Sequence, residues 1–361
     1  MLGLIRVICD LGHFGCIQRF FDSEAWGHGT NTFVNGSAGP TSVAVGPGDI
    51  LGSTLILDAS KGLVVGDTTT VNTGGILLIS GGILTTPTLL LDGGTFSAPD
   101  LSGINTLQFN SGRLHLPGPS GLTVGAGGPL GSLVTVGTGQ TLIVTSATTV
   151  KSGSRITVLG SFSSTLLKIN SGGQFDAPFG YTNNDEIQMT GSESWIMSST
   201  LTNNGFISGQ GRINASLTNN GHVNLSNGTL RFGSQVTNDG HVNVTNGTLN
   251  FSAQVTNNAS GFISGEGTSA IRFEDGLDNS GSLILTFSTS TVFGNIVNNP
   301  TGLVSLAGNS TASFIGDVSN NGQLYVGSGS HAVFGGHTSG SGSFPGSGTV
   351  EFVDGFSPGS S

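Results

Sequence analysis

Two short groups of acids are where this sequence could carry out chemistry. Asp185, Glu186 and Glu193 form one, and Glu274, Asp275 and Asp278, just after Arg272, form the other. Glycoside hydrolysis needs two carboxylates facing each other across the scissile bond. A base beside an arginine also suits the elimination chemistry of a polysaccharide lyase. No acid recurs on neighbouring repeats to build a cleft around either group, so solvated loop acids are the preferred reading. His222 and His241 occupy equivalent places in neighbouring repeats. Two stacked imidazoles could share a metal, but a third ligand is needed and their column offers no acid or cysteine. Cys9, His13 and Cys16 would share one face of a helix at i, i+4 and i+7. On a helix the two sulfurs would stand roughly 10 Å apart, too far for a disulfide, and incidental residues are preferred to a metal trio. The sequence shows no nucleophile elbow, phosphate-binding loop, Cys-x-x-Cys pair or calcium nonapeptide. No cofactor or metal is expected.

Any such residues must be positioned by strands. The chain has 361 residues, with 62 glycines, only 8% charged residues and 35% hydrophobic residues. Disordered chains lack apolar and β-branched residues. Here Val, Ile, Leu and Phe come in short runs bounded by Gly or Asn, the pattern of strands between tight turns. Net charge is −10, with no run of Lys or Arg; nucleic-acid binding needs a clustered basic footprint, and no nucleic-acid partner is expected. No stretch approaches the roughly 18 apolar residues of a membrane-spanning helix. The apolar start, MLGLIRVICDLGHFGCIQRFF, is broken by Arg6, Asp10 and Arg19 and does not read as a signal peptide.

Internal repetition is the strongest signal. Residues 217–235 read LTNNGHVNLSNGTLRFGSQ and 236–254 read VTNDGHVNVTNGTLNFSAQ. Looser copies give unit starts at 201, 217, 236, 255, 277, 296 and 318, successive starts differing by 16, 19, 19, 22, 19 and 22. Alignment yields three apolar columns. One is Phe232, Phe251, Phe273, Phe293, Phe314, Phe334 and Phe352. The second runs Ile207, Val223, Val242, Ile263, Leu283, Val304 and Leu324, and the third Leu201, Leu217, Val236, Val255, Leu277, Ile296 and Val318. Side chains alternate faces along a strand, so each unit holds about three short strands with one apolar face that a single unit cannot bury. Stacking units at about 4.8 Å closes a continuous core. The expected fold is all-β, a single-stranded parallel β-helix, right-handed by the crossover rule, with about three short strands and 19–22 residues per turn. Asn-Gly and Asp-Gly corners supply left-handed backbone, and stacked corner asparagines can bond along a ladder.

Residues 31–180 show the same grammar in poorer register, and 201–355 form the regular repeats. Residues 1–30 read as a capping helix (Leu4, Ile8, Leu11, Ile17) or vestigial leader, 181–200 as an insertion carrying Tyr181 and Trp195, and 356–361 as a C-terminal tail. Pro117, Pro119 and Pro129 mark an expected protruding loop.

The VTNxGxVNVxNGTLxF repeats, the GGTL-type strands and the terminal GTVEFVDGFSPGSS resemble autotransporter-passenger and filamentous-haemagglutinin-like β-helix proteins. They are most similar to exported bacterial repeat proteins that often bear a PEP-CTERM sorting tail. In that group a segment like Phe356-Ser357-Pro358-Gly359-Ser360 commonly closes the repeats. The resemblance spans roughly residues 40–361 and is architectural; the sorting tail itself and a translocating β-barrel are missing from it. It implies an extracellular or cell-surface location and an adhesive or matrix role with glycans or other surface components as partners. The alternative is a polysaccharide lyase or hydrolase built on the same fold.

Overall fold

The structure, a computed structural model, describes residues 31–33, 42–49, 51, 53–59 and 61–359. The expected N-terminal helix and the Cys9–His13–Cys16 trio lie outside the described residues. Among the described residues every regular element is a strand, and the strands pair in parallel as a β-solenoid. The chain divides into two units, Met1–Leu166 and Leu167–Ser361.

In the second unit each turn carries three strands. In one turn they are Val236–Asn238, His241–Thr245 and Thr248–Phe251. These first, second and third strands pair only with their equivalents one turn away, as a solenoid requires. The first strand alone runs through nine successive parallel pairings from Tyr181 to Phe356. Alternation then sorts the side chains. Val242 and Val244 are buried while His241 and Thr245 face out, and Leu249 and Phe251 are buried while Asn250 is half-buried on the outer side. The two aliphatic columns read from the repeats stack in the register expected.

The phenylalanine column is interrupted. Phe232 and Phe251 stack at 5.3 Å, Phe251 and Phe273 at 5.0 Å, Phe314 and Phe334 at 4.8 Å, and Phe334 and Phe352 at 5.1 Å. Between Phe273 and Phe314 the register places Val292, not Phe293. A slip of one residue sends a side chain to the other face, and Phe293 points outward with 37% of its surface exposed. Phe352 is only half-buried.

The first corner is held by asparagine. Asn183, Asn203, Asn219, Asn238, Asn257, Asn279, Asn298 and Asn320 are all buried. Each Nδ2 donates to the Oδ1 of the next at 2.7–2.9 Å, giving seven links with one polarity. The same amides also donate to main-chain carbonyls, as Asn219 does to Gly221 and His241. A buried amide is costly unless its hydrogen bonds are met, and here the repeat meets them. Two residues beyond Asn238 stands Gly240, where a Cβ would lie 2.1 Å from the Gly221 carbonyl oxygen. Only glycine allows the turns to approach so closely. At the second corner Asn227 and Asn246 take φ of 66° and 53°, a left-handed backbone that asparagine tolerates.

Residues 181–200, expected as an insertion, are a turn of the coil. Tyr181–Asn183 pairs with Leu201–Asn203, and Glu186–Thr190 with Phe206–Gln210. Trp195–Met197 lies in register with Arg212–Asn214.

The first unit is built likewise with less regular turns. Leu77, Phe96, Leu114 and Leu142 form one fully buried column. The step from Leu114 to Leu142 is the longest along it, because the proline-rich stretch lies between them. That stretch is partly knitted into the sheet. Leu122–Val124 pairs with Thr148–Val150, and the Leu107 N–H donates to the Pro129 carbonyl.

Candidate functional site

The outer face of the second strand in the second unit holds an open concavity. Its origin is a length mismatch. The sequence separation along the asparagine ladder is 16 from Asn203 to Asn219, but 19 from Asn219 to Asn238 and again from Asn238 to Asn257. The short turn's strand pairs with the following turn through Ser208↔Asn224 and then resumes at Gly211↔Leu230. Two residues (209–210) therefore oppose five (225–229), and the longer corner stands proud of the shorter one. Gly209, at φ +90°, has no room for a Cβ beside the Met189 carbonyl. The result is an open groove of about 490 Å³, within the roughly 300–1,000 Å³ of small-molecule clefts.

The lining is uncharged. Gln188, Thr190, Ser208, Asn224, Ser226, Asn243 and Thr245 supply amides and hydroxyls, and Gly209 lies among them, while the Met189 and Leu225 side chains are buried in the core behind. The amides are linked along the solenoid: Asn243 Nδ2 donates to Asn224 Oδ1 at 3.1 Å, and Ser264 Oγ to Asn243 Oδ1 at 2.9 Å. Beside this row, on the same strands, runs a row of rings. Phe206 and His222 stack at 5.0 Å, His222 and His241 at 5.0 Å, and His241 meets Phe262 tilted at 5.6 Å. The histidine pair is thus the middle of a four-ring row that ends at Phe262, the same column continuing as Ser282, Leu303 and Gln323. Among the described residues no group of three or more His, Cys, Asp or Glu is placed to hold a metal ion.

The acids of the first group occupy both ends of one strand. Asp185 is exposed at its start, Glu186 accepts from Ser208 Oγ at 3.4 Å, and Glu193 is exposed at the corner beyond. The strand between Glu186 and Thr190 alone spans about 13 Å at ~3.3 Å per residue, so Glu193 does not face Glu186 across a bond. Asp185 has one clear effect. The Tyr181 phenol is pushed up to about 12, first by burial and then by the Asp185 charge.

In the second group, Glu274 pairs with Arg272 at 2.5 Å, and Arg272 lies over the Phe293 ring at 4.3 Å. Asp278 accepts from Asn299 Nδ2 at 2.6 Å, and Asp275 is exposed at the corner. The six acids do not converge.

The third strand carries a feature that the sequence did not display as a cluster. Its outward positions stack Trp195, Arg212, Arg231, Asn250 and Arg272 one above another. These are all three arginines of the second unit. Arg212 lies over the Trp195 ring at 4.9 Å.

No protein-family model, curated protein or solved structure matches this chain. What the chain does must therefore be argued from its own surfaces.

Proposed function

We propose that this chain is a non-catalytic, exported repeat scaffold of the adhesive or extracellular-matrix kind, and that the groove beside the ring row is its contact face for uncharged glycan. The groove lining carries the reading. Amides and hydroxyls suit the donor and acceptor pattern of sugar hydroxyls. Rings alongside offer apolar faces with polar edges, and no charge in the lining calls for an ionic ligand. The dispersed acids favour a scaffold over the lyase or hydrolase alternative. Its surface or extracellular location rests on the resemblance of the repeats.

A glycan array read together with a reducing-end assay tests this. Binding to neutral glycans, weakened by Asn224→Ala and Phe206→Ala with no reducing ends released, is the expected result. Release of reducing or unsaturated ends that Glu186→Gln or Glu274→Gln abolishes would replace the scaffold by an enzyme.

A further inference from the structure

We infer that the Trp195–Arg212–Arg231 column is a binding site for a carboxylate-bearing polysaccharide, separate from the groove. The column places two guanidiniums on neighbouring strands without a counter-charge. Arg212 and Arg231 are direct neighbours on adjacent parallel strands, and like charges so placed repel. Among the described residues neither has an ion-paired or hydrogen-bonded partner, whereas Arg272 is neutralised by Glu274. The chain as a whole carries −10, so the two guanidiniums stand out in sign from the rest of the molecule. An anionic ligand would supply the missing counter-charge.

The geometry selects the ligand's chemistry. Arg212 rests over the Trp195 ring, a contact that restrains the guanidinium while its N–H groups stay without a protein acceptor. A planar fork held in this way matches a carboxylate bidentately, and pre-organisation lowers the entropy lost on binding. The two arginines stand on neighbouring strands, whose spacing of about 4.8 Å is comparable to one sugar ring along an extended chain. Asn214 and Thr229 stand outward on the same strands as Arg212 and Arg231, an amide and a hydroxyl that suit a hydroxylated ligand. Two free cations are few for a nucleic acid, whose binding rests on many phosphate contacts.

The test uses the full chain in affinity electrophoresis and biolayer interferometry against four probes: polygalacturonate, dextran sulfate, neutral dextran and a single-stranded oligonucleotide. Polygalacturonate is expected to bind best, with affinity falling as salt rises. Arg212→Gln and Arg231→Gln each weaken binding about ten-fold, and the double variant flattens the salt dependence. Trp195→Leu weakens binding about two- to five-fold while leaving the salt slope unchanged, because it loosens a fork without removing a charge. Arg155→Gln, in the first unit, leaves binding unchanged. Circular dichroism and melting curves establish that the variants fold.

No binding to polygalacturonate, or binding that survives the double variant, overturns the inference. Tighter binding to dextran sulfate overturns the carboxylate assignment, and tighter binding to the oligonucleotide overturns the glycan assignment. The inference does not depend on the groove, since Asn224→Ala and Phe206→Ala leave polygalacturonate binding intact if both readings hold.

Discussion

Replacing Asn238 by Ala cuts the asparagine ladder in its middle, and the ladder's polarity sets the cost. Asn238 accepts from Asn219 Nδ2 at 2.8 Å and donates to Asn257 Oδ1 at 2.8 Å. On the N-terminal side the damage is cushioned, because Asn219 Nδ2 retains the carbonyls of Gly221 at 3.3 Å and His241 at 3.2 Å. On the other side Asn257 Oδ1, fully buried, loses its donor. An orphaned buried acceptor costs about 1–3 kcal/mol and a lost neutral hydrogen bond about 0.5–1.5 kcal/mol, so Asn238→Ala should destabilise by about 2–4 kcal/mol. Asn320 ends the ladder. It accepts from Asn298 and donates to the Ser343 carbonyl, so Asn320→Ala orphans no amide oxygen and should cost only about 1 kcal/mol. Asn238→Asp should be worse than Ala, since a carboxylate would face Asn257 Oδ1 and the Gly240 carbonyl as a third acceptor. Guanidinium unfolding gives the free energies. Hydrogen exchange should show lost protection centred on the turns holding Asn219, Asn238 and Asn257. A cost for Asn238→Ala below about 0.5 kcal/mol, or a cost for Asn320→Ala equal to it, would refute the argument that the ladder carries directed, non-redundant bonds.

Three further outcomes are expected. Phe251→Ala removes a ring stacked on both sides and should destabilise by about 3–5 kcal/mol, while Phe293→Ala, outward and exposed, should cost less than about 1 kcal/mol; denaturation midpoints compare them. Phe287 holds φ of 55° at a corner where Asn246 holds 53°, so Phe287→Asn should stabilise by about 1 kcal/mol, read as a raised Tm. The raised Tyr181 phenol means that the unfolded chain loses its proton near pH 10 while the folded chain keeps it to about 12. Stability from this group is therefore complete below about pH 10 and falls by about 2–3 kcal/mol as pH rises to about 12. Tyr181→Phe should remove that decline in melting curves, and ultraviolet titration should show the late phenolate.

The regular repeats were legible because a solenoid copies its own register into the sequence. Val223 and Val242 recur between the same His and Asn flanks, and Ile263 follows in the same column, because each occupies the same place above the last. The reading failed where one residue of slip decides the face. Phe293 matched the column by type, yet the strand Thr289–Val292 buries Ser290 and Val292, and only pairing fixes that alternation. Residues 181–200 open on Thr182-Asn183-Asn184, the phrase of later turns, but Asp185 follows where Gly205 and Gly221 stand later, and Asn183 carries the ladder's first rung. The proline-rich stretch was equally opaque, because the bond from Leu107 to Pro129 joins residues in different turns.

The candidate surfaces divide in the same way. The row of Phe206, His222, His241 and Phe262 was predictable from equivalent positions. The groove beside it came from one short turn meeting longer neighbours, a mismatch visible as spacing but not as a hollow. The arginine column was invisible along the chain, where Arg212, Arg231 and Arg272 belong to different repeats and share no local motif.

The sequence by itself determined the parallel β-solenoid, the aliphatic columns and the corner asparagines, because those depend on period and on which residues tolerate burial or left-handed backbone. Only the tertiary structure decided which side chains become neighbours across turns. Hydrogen-bonded register converts the length of a whole repeat into one strand spacing, so a ladder, a groove and a charged column exist only once the turns are stacked.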